Sequence, residues 1–340
     1  MAASVTASFD KILNALNARQ YSPLYFLQGE ESYFIDEIVN YIDDNVLNEG
    51  EKGFNQTVFY GKETDMVTIL MAARRFPMMS DYQVIIVKEA QNLKDFDKLE
   101  AYLANPVSST ILVFAYKGKK LDKRTKTAKA LEKFVLFDSA KMYDNQVPAW
   151  AEDFLKKKGY TINQKALALV VESLGNDLGK IANELGKMLL NLEGTDIRTI
   201  TPKEIEDNIG ISKDYNIFEL QEAIGKRNFT RAIEIVDYFS QSKNQNGNLV
   251  VVLPQLYNFF SKLYKIHYLR DKSKENVSRQ LGINPFFFND YNNYFKNYSS
   301  TKIENIFTTL SEFDLKSKGV NNAGTPDGEL MKEMLVRIFR

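Results

Sequence analysis

The chain has no cysteine among its 340 residues, which excludes disulfide frameworks, zinc ribbons and thiol catalysis. Histidine is almost as scarce. The single one, His267, sits between Ile266 and Tyr268, close to Lys262, Lys265 and Arg270. Without a second histidine or a cysteine, no familiar nucleophilic triad or transition-metal cluster can be assembled, and a lone histidine on a helix reads as packing or surface. Net charge is lacking too: 44 Lys+Arg balance 44 Asp+Glu, so any nucleic-acid contact must come from a local patch rather than a global field. No apolar run approaches membrane length, and the stretch Met1 to Asp10 has neither a basic region nor an apolar centre, so a cytoplasmic protein is expected. Tandem repeats and low-complexity linkers are absent as well.

What is present is an ordinary globular balance, 44% hydrophobic and 26% charged, on a chain long enough for two or three domains with real cores. Its organising stretch is Leu24 to Ile42. A β-rich run, Leu24 to Leu27, meets Gly29, after which Ile35, Ile38, Val39 and Ile42 recur at helical spacing, so strand, tight turn and helix are expected. A nucleotide-binding α/β domain would carry its phosphate loop here. Laid over that pattern, Gly29 matches the first glycine, but Phe34, Ile35 and Asp36 fall where glycine, lysine and a hydroxyl residue belong. None supplies close backbone approach, a cation for the β and γ phosphates, or a magnesium ligand. Glu30 and Glu31 add carboxylates where a triphosphate would lie. Two readings stand: the scaffold of a nucleotide switch that has lost the switch, or an ordinary strand-turn-helix.

Phe9, Ile12, Leu13 and Leu16 predict an opening amphipathic helix, ended by Tyr21-Ser22-Pro23. Further strands are expected at Thr57 to Tyr60, Gln83 to Lys88, Thr110 to Tyr116 and Phe134 to Phe137. A helix starting at Thr64 and Asp65 puts Met66, Ile69, Leu70 and Ala73 on one face and reaches Arg74 and Arg75 before Pro77 stops it; another spans Asp95 to Leu103. Strands alternating with helices imply a parallel sheet covered on both faces. Two more losses match the degenerate loop. The third strand is followed by Lys88-Glu89 where an ATPase would place its magnesium-holding acids, and the fourth ends Ala115-Tyr116-Lys117 rather than in a polar phosphate sensor. Nucleotide hydrolysis is therefore not expected.

Between Lys117 and Lys133 eight cations, Lys117, Lys119, Lys120, Lys123, Arg124, Lys126, Lys129 and Lys133, face only Asp122 and Glu132. This patch reads either as a solvated helix face or as contact with DNA phosphate or an acidic neighbouring subunit, with Lys123 and Arg124 as its test residues.

From Met142 the pattern turns wholly helical. Trp150, Phe154 and Leu155 precede Lys156-Lys157-Lys158-Gly159, a basic helix end closed by glycine; Ala166 to Leu174 and Asp177 to Leu192 follow, and Thr201-Pro202-Lys203-Glu204 starts another helix. After the turn Gly210 to Asp214, which includes Lys213, paired helices are expected around Phe218, Leu220, Ile224, Ala232, Ile235, Val236 and Phe239. A buried helix is expected from Leu249 to Leu269, then helices opening at Asn284-Pro285, over Ile303 to Leu315 and over Leu330 to Phe339. The aromatics Tyr257, Phe259, Phe260 and Tyr264 read as core at helical spacing, with base stacking as the other reading.

The ordered set Tyr-Phe-Leu-Gln-Gly-Glu-Glu-Ser-Tyr-Phe (from Tyr25), Arg-Phe-Pro-Met-Met-Ser (from Arg75), Gly175 to Leu185, Asn216 to Leu220 and Asp314 to Gly319 resembles the delta-subunit family of bacterial DNA polymerase III over nearly the whole chain. The resemblance implies an AAA+-like, α/β nucleotidase-fold domain at 1–140 lacking a functional phosphate loop, an all-α lid domain at 141–211 and an all-α collar domain at 212–340. It implies a clamp-loader subunit without catalysis or cofactor of its own, accessory to a DNA-directed DNA polymerase, that binds the ring-shaped sliding clamp and opens one interface for loading on primed DNA. The partners it implies are the clamp (beta subunit), the gamma/tau and delta prime loader subunits, and DNA; no membrane is involved. The family's clamp-binding element maps onto Phe76, Pro77, Met78 and Met79, where the family often has Leu and Phe, and Met78 and Met79 keep the positions large, apolar and adaptable. Read from the residues alone these four would be core; as a wedge, two such side chains inserted in a pocket contribute roughly 1.5 to 3 kcal/mol each. In the collar, Lys316 and Lys318 are carried over as phosphate contacts only, since no stacking aromatic matches there. The rivals are an active AAA+-type ATPase with an aberrant loop and a stand-alone DNA-binding protein.

Overall fold

In a computed structural model that describes residues 2–143, 145–212, 214–241, 248–322 and 324–340, the chain divides into two compact units, Met1–Tyr143 and Asp144–Arg340. Lys213, part of the expected turn, lies outside the described residues.

The first unit runs α1 (Ala2–Asn17), β1 (Leu24–Gly29), α2 (Ser32–Asn45), α3 (Glu49–Asn55), β2 (Gln56–Tyr60), α4 (Met66–Ala73), β3 (Gln83–Lys88), α5 (Glu100–Leu103), β4 (Thr110–Lys117), α6 (Lys126–Leu131) and β5 (Val135–Ser139). All five strands pair in parallel, in the order β2-β3-β4-β1-β5. The three inner strands are near-continuous apolar runs because both faces are covered. Along them alternate residues part: Leu24, Phe26, Ile85, Val87, Leu112 and Phe114 share one cluster with Met66, Ile69, Ala73, Leu99, Tyr102 and Leu131 from the helices on that side. Tyr25, Leu27, Val84, Ile86, Ile111 and Val113 are equally buried on the opposite face, where α1 and α2 lie with Phe9 and Phe34 rings 5.0 Å apart. This is the parallel sheet covered on both faces that the alternation of strands and helices implied.

The second unit begins with α7 (Val147–Lys157), β6 (Thr161–Ile162), α8 (Gln164–Leu174), α9 (Leu178–Leu192), β7 (Thr199–Ile200) and α10 (Pro202–Ile209). Thr201 and Glu204 close a reciprocal capping box at the start of α10, as the Thr-Pro-x-Glu spelling indicated. Then come α11 (Ile217–Gly225), α12 (Phe229–Gln241), α13 (Leu249–Tyr268), α14 (Lys274–Leu281), α15 (Phe288–Tyr294), α16 (Ser300–Ser317) and α17 (Asp327–Phe339), around one large core that includes Leu220, Ile235, Phe260, Phe313 and Met334. His267 is a packing residue here: its Nε2 donates to the Tyr298 carbonyl at 2.8 Å and its ring meets Phe295 edge-on.

Several expectations are corrected. The region after Met142 is not wholly helical, since β6 and β7 pair in a two-stranded parallel ladder. Helix α4 stops at Ala73 and does not reach Arg74 and Arg75, because the carbonyls at its end are taken by side chains of the sheet. The expected helix at Asp95 to Leu103 starts as a 3₁₀ turn, Phe96–Leu99, with Asp95 in the left-handed region at φ 57°. The fifth strand is displaced to Val135–Ser139, in register with β1. Helix α13 is buried on one side only: Phe259 and Phe260 are core, whereas Tyr257 is exposed. The helices α3 and α14 were not foreseen, and α6 only as one reading of the basic patch; each is short and carries too little apolar periodicity to stand out.

Candidate functional site

The crevice at the carboxyl ends of β1, β4 and β5 is where a fold of this kind holds its ligand. Here it is closed by the chain itself. Only Glu30 and Glu31 separate β1 from α2. Their backbone is stitched to β5, the Glu31 N–H donating to the Ser139 carbonyl at 3.2 Å and the Ser139 hydroxyl to the Glu31 carbonyl at 2.6 Å. Gly29 has φ 134°, and a Cβ there would lie 2.0 Å from the Ser139 carbonyl oxygen. The glycine thus serves strand packing. Phe34 and Ile35, at the pattern's second glycine and lysine, are fully buried in α2, and Asp36, at the hydroxyl position, pairs with Lys117 at 2.5 Å. The buried Gln28 on β1 donates to Asp138 at 2.6 Å and accepts from the Leu121 N–H at 2.9 Å, which draws the segment after β4 toward this edge. Tyr116, at the position of a phosphate sensor, packs against the Phe26 and Phe96 rings, and burial pushes its phenol pKa up.

The second feature is the segment between α4 and β3. Helix α4 is capped at its start by Asp65, whose carboxylate accepts from the Thr68 N–H at 2.9 Å and is held below the usual carboxylate range by that bond. At its end Thr110 donates to the Ala73 carbonyl at 3.0 Å, and Gln83 donates to Thr110 Oγ1 at 2.6 Å and to the Arg75 carbonyl. Beyond this capped end Phe76 is 79% exposed, Met78 62% and Met79 101%, with Pro77 half-buried between them. The core reading of these four residues is overturned. Met79 stands in the left-handed region at φ 54°, a conformation that costs a non-glycine residue roughly 1 kcal/mol or more. Met78 is fixed from behind: its N–H donates to Asn55 Oδ1 at 2.6 Å and its carbonyl accepts from Asn55 Nδ2 at 2.9 Å. Phe54, next to Asn55 on α3, is exposed as well.

The basic segment is divided. Lys120 and Lys123 lie 3.8 and 3.5 Å from Asp138, and Arg124 grips Asp122 through two nitrogens, which holds the Asp122 carboxyl below its usual range. Lys123 and Arg124 sit in the loop before α6, so the picture of one helix face applies only to Lys126 and Lys129. In the second unit Lys316 pairs with Glu333 at 3.2 Å and lies over the Phe313 ring, while Lys318 pairs with Asp314 at 2.6 Å. Lys123 and Arg124 belong to the first unit, Lys316 and Lys318 to the second. Among the described residues no group of His, Asp and Glu could hold a metal ion, and no helix is long and apolar enough to cross a membrane.

Asn55, Gln83 and Thr110 were not singled out in the sequence. A glutamine and a threonine opening otherwise apolar strands were the available signal for two of them, and they prove to be register partners. Asn55 carried none.

Two family models match the chain: DNA polymerase III, delta subunit, over residues 25–141, and DNA polymerase III delta subunit, C-terminal domain, over residues 214–336. The chain is 25% identical to the DNA polymerase III subunit delta of Bacillus subtilis (strain 168) over 338 residues, covering 96% of this chain and 95% of that protein. Among solved structures it is similar to a DNA clamp loader delta protein of Bacillus subtilis, with a TM-score of 0.60, 22% identity, and coverage of 97% and 99% of the two chains.

Proposed function

The chain belongs to the DNA polymerase III delta-subunit family, and from that premise we propose that it is the clamp-binding, non-catalytic subunit of a replicative clamp loader, docking on the sliding clamp through Phe76, Pro77, Met78 and Met79. One observation carries the reading. Three large apolar side chains stand in solvent on a segment whose main chain is tied to a rigid sheet and helix. Leaving them exposed has no benefit for the isolated fold, whereas insertion into an apolar pocket of a partner recovers their burial, roughly 1.5 to 3 kcal/mol for each side chain. Methionine suits this use because its unbranched thioether adapts to an irregular pocket.

The same reading makes the sheet a lever behind the wedge and the helices beyond about residue 212 the part that holds the loader together, with residues 141–211 as the lid. The gamma/tau and delta prime subunits are its proposed companions, and primed DNA the final substrate of the assembly. DNA contact is assigned to Lys123, Arg124, Lys316 and Lys318. Each of the four is ion-paired within its own unit and would exchange that carboxylate for phosphate, Lys123 leaving Asp138, Arg124 Asp122, Lys316 Glu333 and Lys318 Asp314. The closed crevice beside Gly29 supports a role without ATP chemistry.

The test is calorimetric titration of the chain into the sliding clamp of the same organism, without nucleotide, beside the Phe76→Ala/Met78→Ala variant. Binding that the variant loses by two orders of magnitude or more establishes role and site. Binding that survives keeps the role and moves the site. No binding by the intact chain, together with binding of labelled ATP, would favour the aberrant-loop ATPase.

A further inference from the structure

The exposed segment has almost no support of its own. Residues 74–82 belong to no helix or strand. Among the described residues the main chain from Phe76 to Asp81 makes two hydrogen bonds, and both go to the side chain of Asn55. That side chain is 4% exposed and fully used: one amide hydrogen goes to the Met78 carbonyl, the other to the Glu51 carbonyl at 3.2 Å, and the oxygen accepts the Met78 N–H. A primary amide presents a donor and an acceptor in one plane, so it pairs with a peptide group as a neighbouring strand would. Aspartate has the acceptor without the donor, and alanine has neither. The glutamate carbonyl bond anchors the amide to α3, so the position of Met78 is inherited from that helix.

We propose that Asn55 is the positioning residue of the docking segment: it holds the Met78 peptide so that Phe76, Met78 and Met79 keep one outward geometry before the clamp arrives. This rests on the reading of Phe76 to Met79 as the clamp-docking element. The physical gain is pre-organisation. A free six-residue stretch would lose backbone freedom on docking, and a segment already fixed in the free chain avoids part of that loss. Asn55 itself is buried behind the main chain, so it acts through Met78 and not by touching the clamp.

The experiment uses the full chain with Asn55→Ala, Asn55→Asp, Phe76→Ala and Asn55→Ala/Phe76→Ala, after circular dichroism and melting show each to be folded. Amide hydrogen exchange is read at Met78, and clamp affinity by calorimetry. Asn55→Ala is expected to speed exchange at Met78 about tenfold or more and to weaken clamp binding about tenfold. Asn55→Asp, which keeps the acceptor for the Met78 N–H, should lie between it and the parent chain. The decisive sign is coupling: Phe76→Ala should cost less in the Asn55→Ala background than in the parent, because the wedge is already disordered. A merely structural asparagine would give additive losses, and additivity overturns the proposal. So does an Asn55→Ala chain that binds the clamp as the parent does. If the parent binds no clamp while Met78 exchange still depends on Asn55, the clamp reading has failed and the proposal falls with it; if the parent binds and Met78 exchange ignores Asn55, only the proposal falls.

Discussion

Gln83, the first residue of β3, donates through Nε2 to Thr110 Oγ1 at 2.6 Å, and the two are register partners at the start of adjacent strands. With its hydroxyl hydrogen Thr110 donates to the Ala73 carbonyl at 3.0 Å, while the second hydrogen of Gln83 goes to the Arg75 carbonyl. Two buried polar side chains therefore end α4 and set the direction in which the chain leaves it, toward Phe76 to Met79.

Replacing Gln83 with alanine leaves the Arg75 carbonyl and the Thr110 hydroxyl short of a partner in a site that admits little water. The expected cost is about 2 to 3 kcal/mol, read as a lower urea midpoint at unchanged slope. By contrast Phe76→Ala, at an exposed position, should stay within about 0.5 kcal/mol of the parent.

Gly29→Ala is expected to destabilise the first unit by about 3 kcal/mol or more, since its φ of 134° excludes a side chain and the Ser139 carbonyl occupies the space. Ile35→Lys restores the lysine of the phosphate-loop pattern but places it in the core, where an unpaired charge costs about 3 to 5 kcal/mol. Equilibrium dialysis with magnesium ATP should show no gain of nucleotide binding. A gain would revive the ATPase reading.

Asp65 supplies a pH dependence confined to the start of α4. Its pKa is lowered in the folded chain by the Thr68 N–H, so its stabilising contribution is complete above the unfolded value, near 3.8, and disappears as pH falls through the lower folded value. The protection of the α4 amides, each exchange rate taken relative to that of an unfolded chain at the same pH, should fall in that acid window. In Asp65→Asn, which caps without titrating, that loss of protection should vanish.

If the basic loop after β4 meets DNA phosphate in the assembled loader, Lys123→Glu should reduce the slope of log affinity against log salt by about 0.9 for each phosphate that is no longer neutralised. Arg124→Glu should change it less, because Arg124 is already neutralised by Asp122. Equal slopes in all three proteins would remove the loop from the interface.

The sheet of the first unit was legible because its inner strands are buried on both faces and spell themselves as apolar runs, Leu24 to Leu27 and Val84 to Val87 among them. The degenerate loop was legible for a related reason: phosphate chemistry demands particular residue types at fixed spacing, and Phe34, Ile35 and Asp36 visibly fail the demand. The end of α4 was misread because Pro77 is a strong local stop signal, yet the helix is ended earlier by Gln83 and Thr110, which are distant in sequence.

By itself, then, the sequence determined the parallel sheet, the longer helices, the loss of the phosphate loop and the family, since these follow from local periodicity, residue chemistry and the order of motifs. Only the tertiary structure decided that Phe76, Met78 and Met79 stand in solvent and that the Asn55 amide bonds the Met78 main chain. Apolar residues after a helix spell core and wedge alike. What separates the two is the set of side chains that the fold brings behind the segment, and no spacing along the chain encodes a pair such as Asn55 and Met78.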